Sequence, residues 1–366
     1  MYNRIVVKIG TNLIADEKGL RETFLKDFVR QVVELRKAGK EMIIVSSGAI
    51  GSGLIRMNME KRQFTLQEKQ AIAAIGQPVL MNRYKKLFTD NDVTVAQVLL
   101  NHDDVKDKSR NMNARNTLLK LIEWGVVPII NENDTVATEE IKFGDNDALA
   151  GIVGSLVNAD LVAILTSVDG VYDKNPGRYS SAKKIEVIED VEATIKEVQT
   201  DGVTSGGTGG MLSKLETARN LNHAGIPLII ANGNLKNVLI RSAGGENTGT
   251  LILRKGHRAE SKKRWILLTL KAKGNIIIDD GAKKALLDSG KSLLAVGIAA
   301  VNGKFSLGDA VEIEDKAGTR IAKGVVNYSS EDVSLIKGRK KEEIKKIMKD
   351  NYYTEVIHRD NLFVYR

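Results

Sequence analysis

The 366-residue chain contains no cysteine. That absence removes disulfides, thiolate metal sites and cysteine nucleophiles together, and it suits a reducing compartment. Long apolar runs are missing as well. Val126–Ile130 and Leu161–Leu165 fall far short of the ~20 residues that span a bilayer. Lys8 interrupts the opening run Ile5-Val6-Val7, so the N-terminus does not read as a signal peptide. A soluble, cytoplasmic protein with no membrane partner is expected. Histidine is scarce: His102, His223, His257 and His358 are scattered, which speaks against chemistry built on a histidine base. Aromatic residues reach only 5%, and toward the C-terminus Trp265, Phe305, Tyr328 and the tail pair Tyr352-Tyr353 are dispersed rather than grouped for stacking on bases.

What is present describes an ordinary globular chain, 42% hydrophobic and 28% charged. Its length exceeds what one core usually serves, so two domains are expected. Charge places the boundary. Residues 255–366 carry 23 Lys and Arg against 15 Asp and Glu, a net of +8, while the first 254 residues sum to only +1. The expected division is 1–254, a linker at 255–264, and a second domain at 265–366. The basic second domain reads either as a lysine-rich soluble surface or as a module for polyanions.

Up to residue 253, short apolar runs alternate with helical patterns. Strands are expected at Arg4–Lys8, Met42–Val45, Val93–Leu100, Val126–Ile130, Leu161–Leu165 and Pro227–Ala231. Helices are expected at Phe24–Ala38, Thr65–Phe88, Ala114–Trp124, Asp147–Val157 and Ser213–Ala224. Strands apolar along their whole length, separated by helices, predict an α/β domain with a mostly parallel sheet sandwiched by helices. In such sheets ligands bind beyond the carboxyl ends of the strands. After residue 264, Asn275–Ile278, Gly297–Val301, Ala310–Glu314 and Arg320–Val326 read as short strands between glycine turns, with one short helix at Ala282–Leu287. This predicts a small, mainly β module.

Five polar clusters fall where that sheet would bind a ligand. Lys8-Ile9-Gly10-Thr11 follows the first strand, and a lysine there projects into the crevice. Ser46-Ser47-Gly48-Ala49-Ile50-Gly51-Ser52-Gly53 is a small-residue turn with backbone N–H groups free to face an anion, or equally a tight turn that needs glycine. Asn131-Glu132-Asn133-Asp134 follows the strand ending Pro128-Ile129-Ile130. Gly144-Asp145-Asn146-Asp147 leads into a helix, which either Asn146 or Asp147 could simply cap. Ser205-Gly206-Gly207-Thr208-Gly209-Gly210-Met211-Leu212-Ser213-Lys214 is a glycine-rich loop opening a helix with lysine in its first turn. It is neither a Walker A loop nor a dinucleotide fingerprint. Two distant lysines, an anion-friendly turn and carboxylates at neighbouring strand ends suit phosphoryl transfer, which needs positioning and positive charge more than covalent participation.

Val6-Val7-Lys8-Ile9-Gly10-Thr11, Val45-Ser46-Ser47-Gly48-Ala49-Ile50 and Pro128–Asp134 resemble the amino acid kinase superfamily. Gly144–Asp147 and Gly207–Lys214 resemble its branch that phosphorylates free glutamate. Lys263-Arg264-Trp265 through Val356-Ile357-His358-Arg359-Asp360 resembles a PUA domain. The resemblance implies the amino acid kinase fold and ATP-dependent phosphorylation of the γ-carboxylate of L-glutamate, the first step of proline synthesis. It implies ATP as co-substrate, magnesium held chiefly by the phosphates with no residue assigned to it, homo-oligomers, and feedback inhibition by proline. Carried over by position, Lys8 and Lys214 contact the phosphates and Asp147 orients them. Ser47, Asp134 and Asn146 hold glutamate. Thr166, Ser167 and the loop Thr208, Gly209, Gly210, Met211, Leu212, Ser213 and Lys214 line the nucleotide site. Ser167 departs from the pattern, which often has aspartate there. Two rival readings stand beside this one: another carboxylate kinase of the same superfamily, and an RNA-binding PUA protein with the first domain as scaffold.

Overall fold

The computed structural model describes residues 2–16, 19–60, 62–137, 146–200, 209–254, 261–348 and 352–365. The chain divides into two compact units, Met1–Arg254 and Lys255–Arg366. Among the described residues no helix is long and apolar enough to cross a membrane.

The first unit is built on an eight-stranded sheet, counted among the described residues. Its order is Val187–Ile188, Gly249–Ile252, Leu228–Asn232, Leu161–Thr166, Arg4–Ile9, Glu41–Ser46, Val127–Glu132 and Val95–Leu100. From Leu228–Asn232 to Val95–Leu100 every neighbour is parallel. Gly249–Ile252 runs antiparallel to Leu228–Asn232 at the other side. The sheet is therefore the mostly parallel one the apolar runs predict, extended by two short strands that carry too little sequence signal.

Alternation along the strands sorts the two faces. Ile5, Val7 and Ile9, with Met42 and Ile44, join Leu25, Phe28, Val29 and Val32 of the helix Glu22–Lys37 in one apolar core. Val6 and Lys8 face the opposite way, toward the helix Asn146–Leu156. That helix lies very close to the sheet because Gly154 has no side chain; a Cβ there would come within 2.6 Å of Val162 Cγ2.

Boundaries move where tertiary demands override local pattern. The stretch Ser46–Gly53, expected as a turn, becomes the helix Ala49–Met57, entered through Gly48 at φ +103°, a conformation that favours glycine. The small residues that suggest a loop serve helix contact instead. A Cβ on Gly53 would sit 2.0 Å from Ile72 O on the helix Leu66–Thr89, so a glycine is needed where the helices cross. The helix expected at Ser213 already begins at Gly209, which puts Lys214 in its second turn, not its first.

The second unit holds a five-stranded sheet among the described residues, ordered Ile298–Gly303, Ala272–Ile278, Ala310–Glu314, Arg320–Val325 and Leu362–Val364. All neighbours are antiparallel except Ala272–Ile278 with Ala310–Glu314. Its core includes Ile276, Ile278, Val311, Ile313 and Ala322. The unit contains more helix than the one segment expected: Ser261–Thr269, Asp280–Ser289, Ser330–Ile336 and Lys341–Met348. Ser261–Thr269 also takes up the last positions of the linker expected at 255–264; its first turn, Ser261-Lys262-Lys263-Arg264, is polar enough to mask the buried Ile266 and Leu267 behind it. Lys341–Met348 is hidden in the same way, with Ile344 as its buried anchor among lysines and glutamates.

Candidate active site

Lys8 lies near the carboxyl end of the strand Arg4–Ile9, on the face turned toward the helix Asn146–Leu156. Its Nζ meets Asp147 Oδ1 at 2.7 Å. Lys214 reaches the same carboxylate from the helix Gly209–Ala224, with Nζ 2.8 Å from Oδ2 and 3.0 Å from Gly210 O. The side chain of Asp147 is fully buried, and those of Lys8 and Lys214 are 5% and 10% exposed. Two ammonium groups converge on one carboxylate in a buried setting. Such charge acts far more strongly there than on an open surface.

Asn146, the residue before Asp147, ties this pair of lysines to a second group of side chains. Its Nδ2 donates to Ser46 O at 2.7 Å, to Ser47 Oγ at 2.8 Å and to Asn131 Oδ1 at 3.0 Å. Asn131 Oδ1 also accepts from the Glu132 N–H at 2.9 Å, and Asn131 Nδ2 donates to Gln77 Oε1 at 2.8 Å. The carboxyl ends of Glu41–Ser46 and Val127–Glu132 are thereby bridged by side-chain amides. Ser46 Oγ stands 3.1 Å from the hydroxyl of the buried Tyr84, whose pKa is raised above its ordinary value by burial, against a smaller opposing effect of Ser46.

The other expected residues lie on separate elements of the first unit. Asp134 occupies a half-buried turn just after Asn131–Asn133, where Thr135 Oγ1 donates to Asn133 Oδ1. Thr166 closes the strand Leu161–Thr166, and its carbonyl accepts from the Gly233 N–H at 2.9 Å. Ser167 is exposed. Two residues beyond it, Asp169 accepts from Asn232 Nδ2 at 2.7 Å, so a carboxylate stands close to where the sequence pattern lacks one. Gly209, Gly210, Met211, Leu212 and Ser213 form the start of the helix that carries Lys214. Thr208, with Gly144, Asp145 and Ser205–Gly207, lies outside the described residues.

Lys8, Asp147 and Lys214 thus meet at one point, and Ser47 and Asn146 meet beside them. Asn131 and Gln77 take part without having been assigned a role from sequence. Asn131 stands inside a cluster the strand ends single out. Gln77 is one polar residue within a long helix, and nothing in its spacing marks it.

Residues 3–232 match the model of the amino acid kinase family, and residues 274–348 match that of the PUA domain. The chain is 46% identical over 362 residues to a glutamate 5-kinase of Caldanaerobacter subterraneus subsp. tengcongensis, covering 99% of this chain and 97% of that protein. It is 43% identical over 367 residues to a glutamate 5-kinase of Dehalococcoides mccartyi, covering 99% and 98%. A glutamate 5-kinase of Moorella thermoacetica is 41% identical over 362 residues, with coverage of 99% and 96%.

Proposed function

The chain belongs to the amino acid kinase family, and we propose that it moves the γ-phosphoryl group of ATP onto the γ-carboxylate of L-glutamate. One carboxylate oxygen forms the new bond to phosphorus, the bond to the ADP oxygen breaks, and L-glutamyl 5-phosphate and ADP are released. The observation that carries the reaction class is the sharing of Asp147 by Lys8 and Lys214 at the strand ends. The choice of glutamate is supported by likeness to glutamate 5-kinases along nearly the whole length of both chains.

The chemistry asks little beyond placement. A glutamate side chain, with an ordinary pKa of about 4.3, is already ionised at neutral pH, so no base is needed to activate it. The obstacle is repulsion between the carboxylate and the phosphates. Lys8 and Lys214 offset it, and Asp147 holds their ammonium groups in place before substrate arrives, so little reorganisation is left for the reaction itself. Magnesium supplies further positive charge when bound with the nucleotide. Both oxygens of Asp147 are engaged by ammonium groups, which fits a cation carried mainly on phosphate oxygens. Ser47, Asn146 and Asp134 hold glutamate, while Thr166, Ser167 and the segment Thr208–Lys214 line the nucleotide. The same reading carries two further expectations, inhibition by proline and self-association.

The test is direct. Purified protein is mixed with ATP, magnesium and L-glutamate, and the acyl phosphate is trapped with hydroxylamine. Hydroxamate from glutamate, and not from aspartate or N-acetylglutamate, is the expected result. A preference for either of the others would make it a different carboxylate kinase. No hydroxamate at all, together with salt-sensitive retention of RNA, would favour the RNA-binding reading of the basic second unit.

A further inference from the structure

The amide groups between Gln77 and Ser47 form a chain whose direction is set at two places by backbone. A carbonyl oxygen only accepts, so the atom of Asn146 that lies 2.7 Å from Ser46 O must be its NH2. A backbone N–H only donates, so the atom of Asn131 that lies 2.9 Å from Glu132 N must be its oxygen. That oxygen also faces the Asn146 NH2 at 3.0 Å, which agrees with the first assignment. Asn131 consequently points its own NH2 at Gln77, where an acceptor is required, and Gln77 Oε1 supplies it at 2.8 Å.

The orientation matters because of what it leaves over. The Asn146 NH2 is divided among Ser46 O, Ser47 Oγ and Asn131 Oδ1. The remaining polar atom of Asn146 is its carbonyl oxygen, an acceptor. An acceptor suits the α-ammonium of a free amino acid and offers nothing to a substrate that lacks one. Reversing the amides would present a donor in its place. Asn146 sits directly beside Asp147 in the chain, so this choice is made next to the two lysines.

We propose that Gln77 is a positioning residue that steadies, through Asn131, the Asn146 amide in the direction the backbone sets, and so favours substrates with a free α-ammonium group. The proposal rests on the glutamate-kinase reading and deepens it. Gln77 does not itself touch the reacting atoms; it acts through Asn131. An acceptor at position 77 preserves the direction of the chain, and a donor there opposes it.

Three variants separate these roles: Gln77→Ala, which removes the acceptor; Gln77→Glu, which keeps one; and Gln77→Lys, which places a donor. Each is assayed beside the wild-type protein with varied glutamate, with varied ATP, and with glutarate, which lacks the ammonium group. Loss of one bond in a partly buried polar network should raise the KM for glutamate about five- to twentyfold in Gln77→Ala. The KM for ATP should stay within about twofold, since the chain does not reach the phosphates. Gln77→Glu should stay closer to wild type than Gln77→Ala, and Gln77→Lys should fall further away, with the preference for glutamate over glutarate shrinking in that order. An unchanged glutamate KM in Gln77→Ala, an equal loss in all three variants, or parallel changes in the ATP KM would overturn the proposal while leaving the kinase assignment in place. A wild-type protein that phosphorylates no glutamate would sink the reading beneath it.

Discussion

Lys8 and Lys214 approach opposite oxygens of one carboxylate, at 2.7 and 2.8 Å, although one comes from the first strand and the other from a helix near the end of the first unit. Like charges are brought together here by a shared counter-ion buried between them. The arrangement makes the two halves of the pairing unequal. Removing either lysine still leaves the other ammonium group on Asp147, so Lys8→Ala and Lys214→Ala should both fold. Each should lose turnover by roughly 10²–10³-fold, as when a charge-stabilising donor is removed. Asp147→Ala instead takes the shared carboxylate from two buried ammonium groups, and breaking such a group costs about 3–5 kcal/mol. Thermal unfolding together with turnover separates the three. Wild-type turnover in either lysine variant would show that its side chain does not serve the transferred group.

Asp134 lies two residues beyond the strand Val127–Glu132, which carries Asn131, a partner of Asn146, whereas Lys214 is carried by the helix Gly209–Ala224. Asp134→Ala should therefore raise the glutamate KM by at least about tenfold, the equivalent of ~1.4 kcal/mol of binding. The ATP KM should hardly move. Initial rates measured with each substrate varied at saturation of the other decide this, and equal changes in both would remove Asp134 from the glutamate side.

The two lysines were legible because each marks a recognisable pattern: Lys8 interrupts an apolar strand near its end, and Lys214 follows a glycine-rich entry to a helix. The strands were legible because burial on both faces demands unbroken apolar runs. The helix Ala49–Met57 was not, because its Gly51 and Gly53 imitate a loop, and the need for Gly53 arises from contact with Ile72, which is remote in sequence. Gln77 was illegible for a related reason. Its value depends on the amide of Asn131, brought near only by folding, and a lone glutamine in a helix has no period to betray it. The short edge strands Val187–Ile188 and Gly249–Ile252 carry too few residues for alternation to register.

The crossing of Ala49–Met57 and Leu66–Thr89 supplies a further test. A Cβ on Gly76 would lie 1.8 Å from Ala49 O and 2.3 Å from Gly53 N, so Gly76→Ala must push the helices apart. Forced overpacking of this kind typically costs about 1–3 kcal/mol. Since Ala49 follows Ser47 and Gly48 directly, displacement should also reach the glutamate side. We expect a lower melting temperature and a higher glutamate KM. At Gly51 the nearest neighbour of an added Cβ is Ala15 Cβ at 3.6 Å, an ordinary contact. Gly51→Ala should therefore be neutral or slightly stabilising, as expected for alanine inside a helix. Equal melting temperatures for both variants would contradict the crossing geometry.

Acid should act on the second unit through Asp315. The Lys283 ammonium, 2.7 Å away, and the N–H groups of Thr319 and Ala317 hold its carboxyl well below the usual range, at about 2. Because the folded unit resists protonation at this site more than the unfolded chain does, the stabilisation is complete above about pH 4. It is lost progressively as the pH falls from there toward 2. Asp315→Asn removes the ion pair at every pH, so it should destabilise the unit at neutral pH and flatten its acid dependence between pH 4 and 2. Each unit contains one tryptophan, Trp124 in the first and Trp265 in the second. In full-length protein carrying Trp124→Phe, the fluorescence of Trp265 follows the second unit alone. Denaturant titrations at a series of pH values, with and without Asp315→Asn, give the comparison. Parallel acid profiles for the two proteins would show that Asp315 is not the group whose protonation loosens the unit.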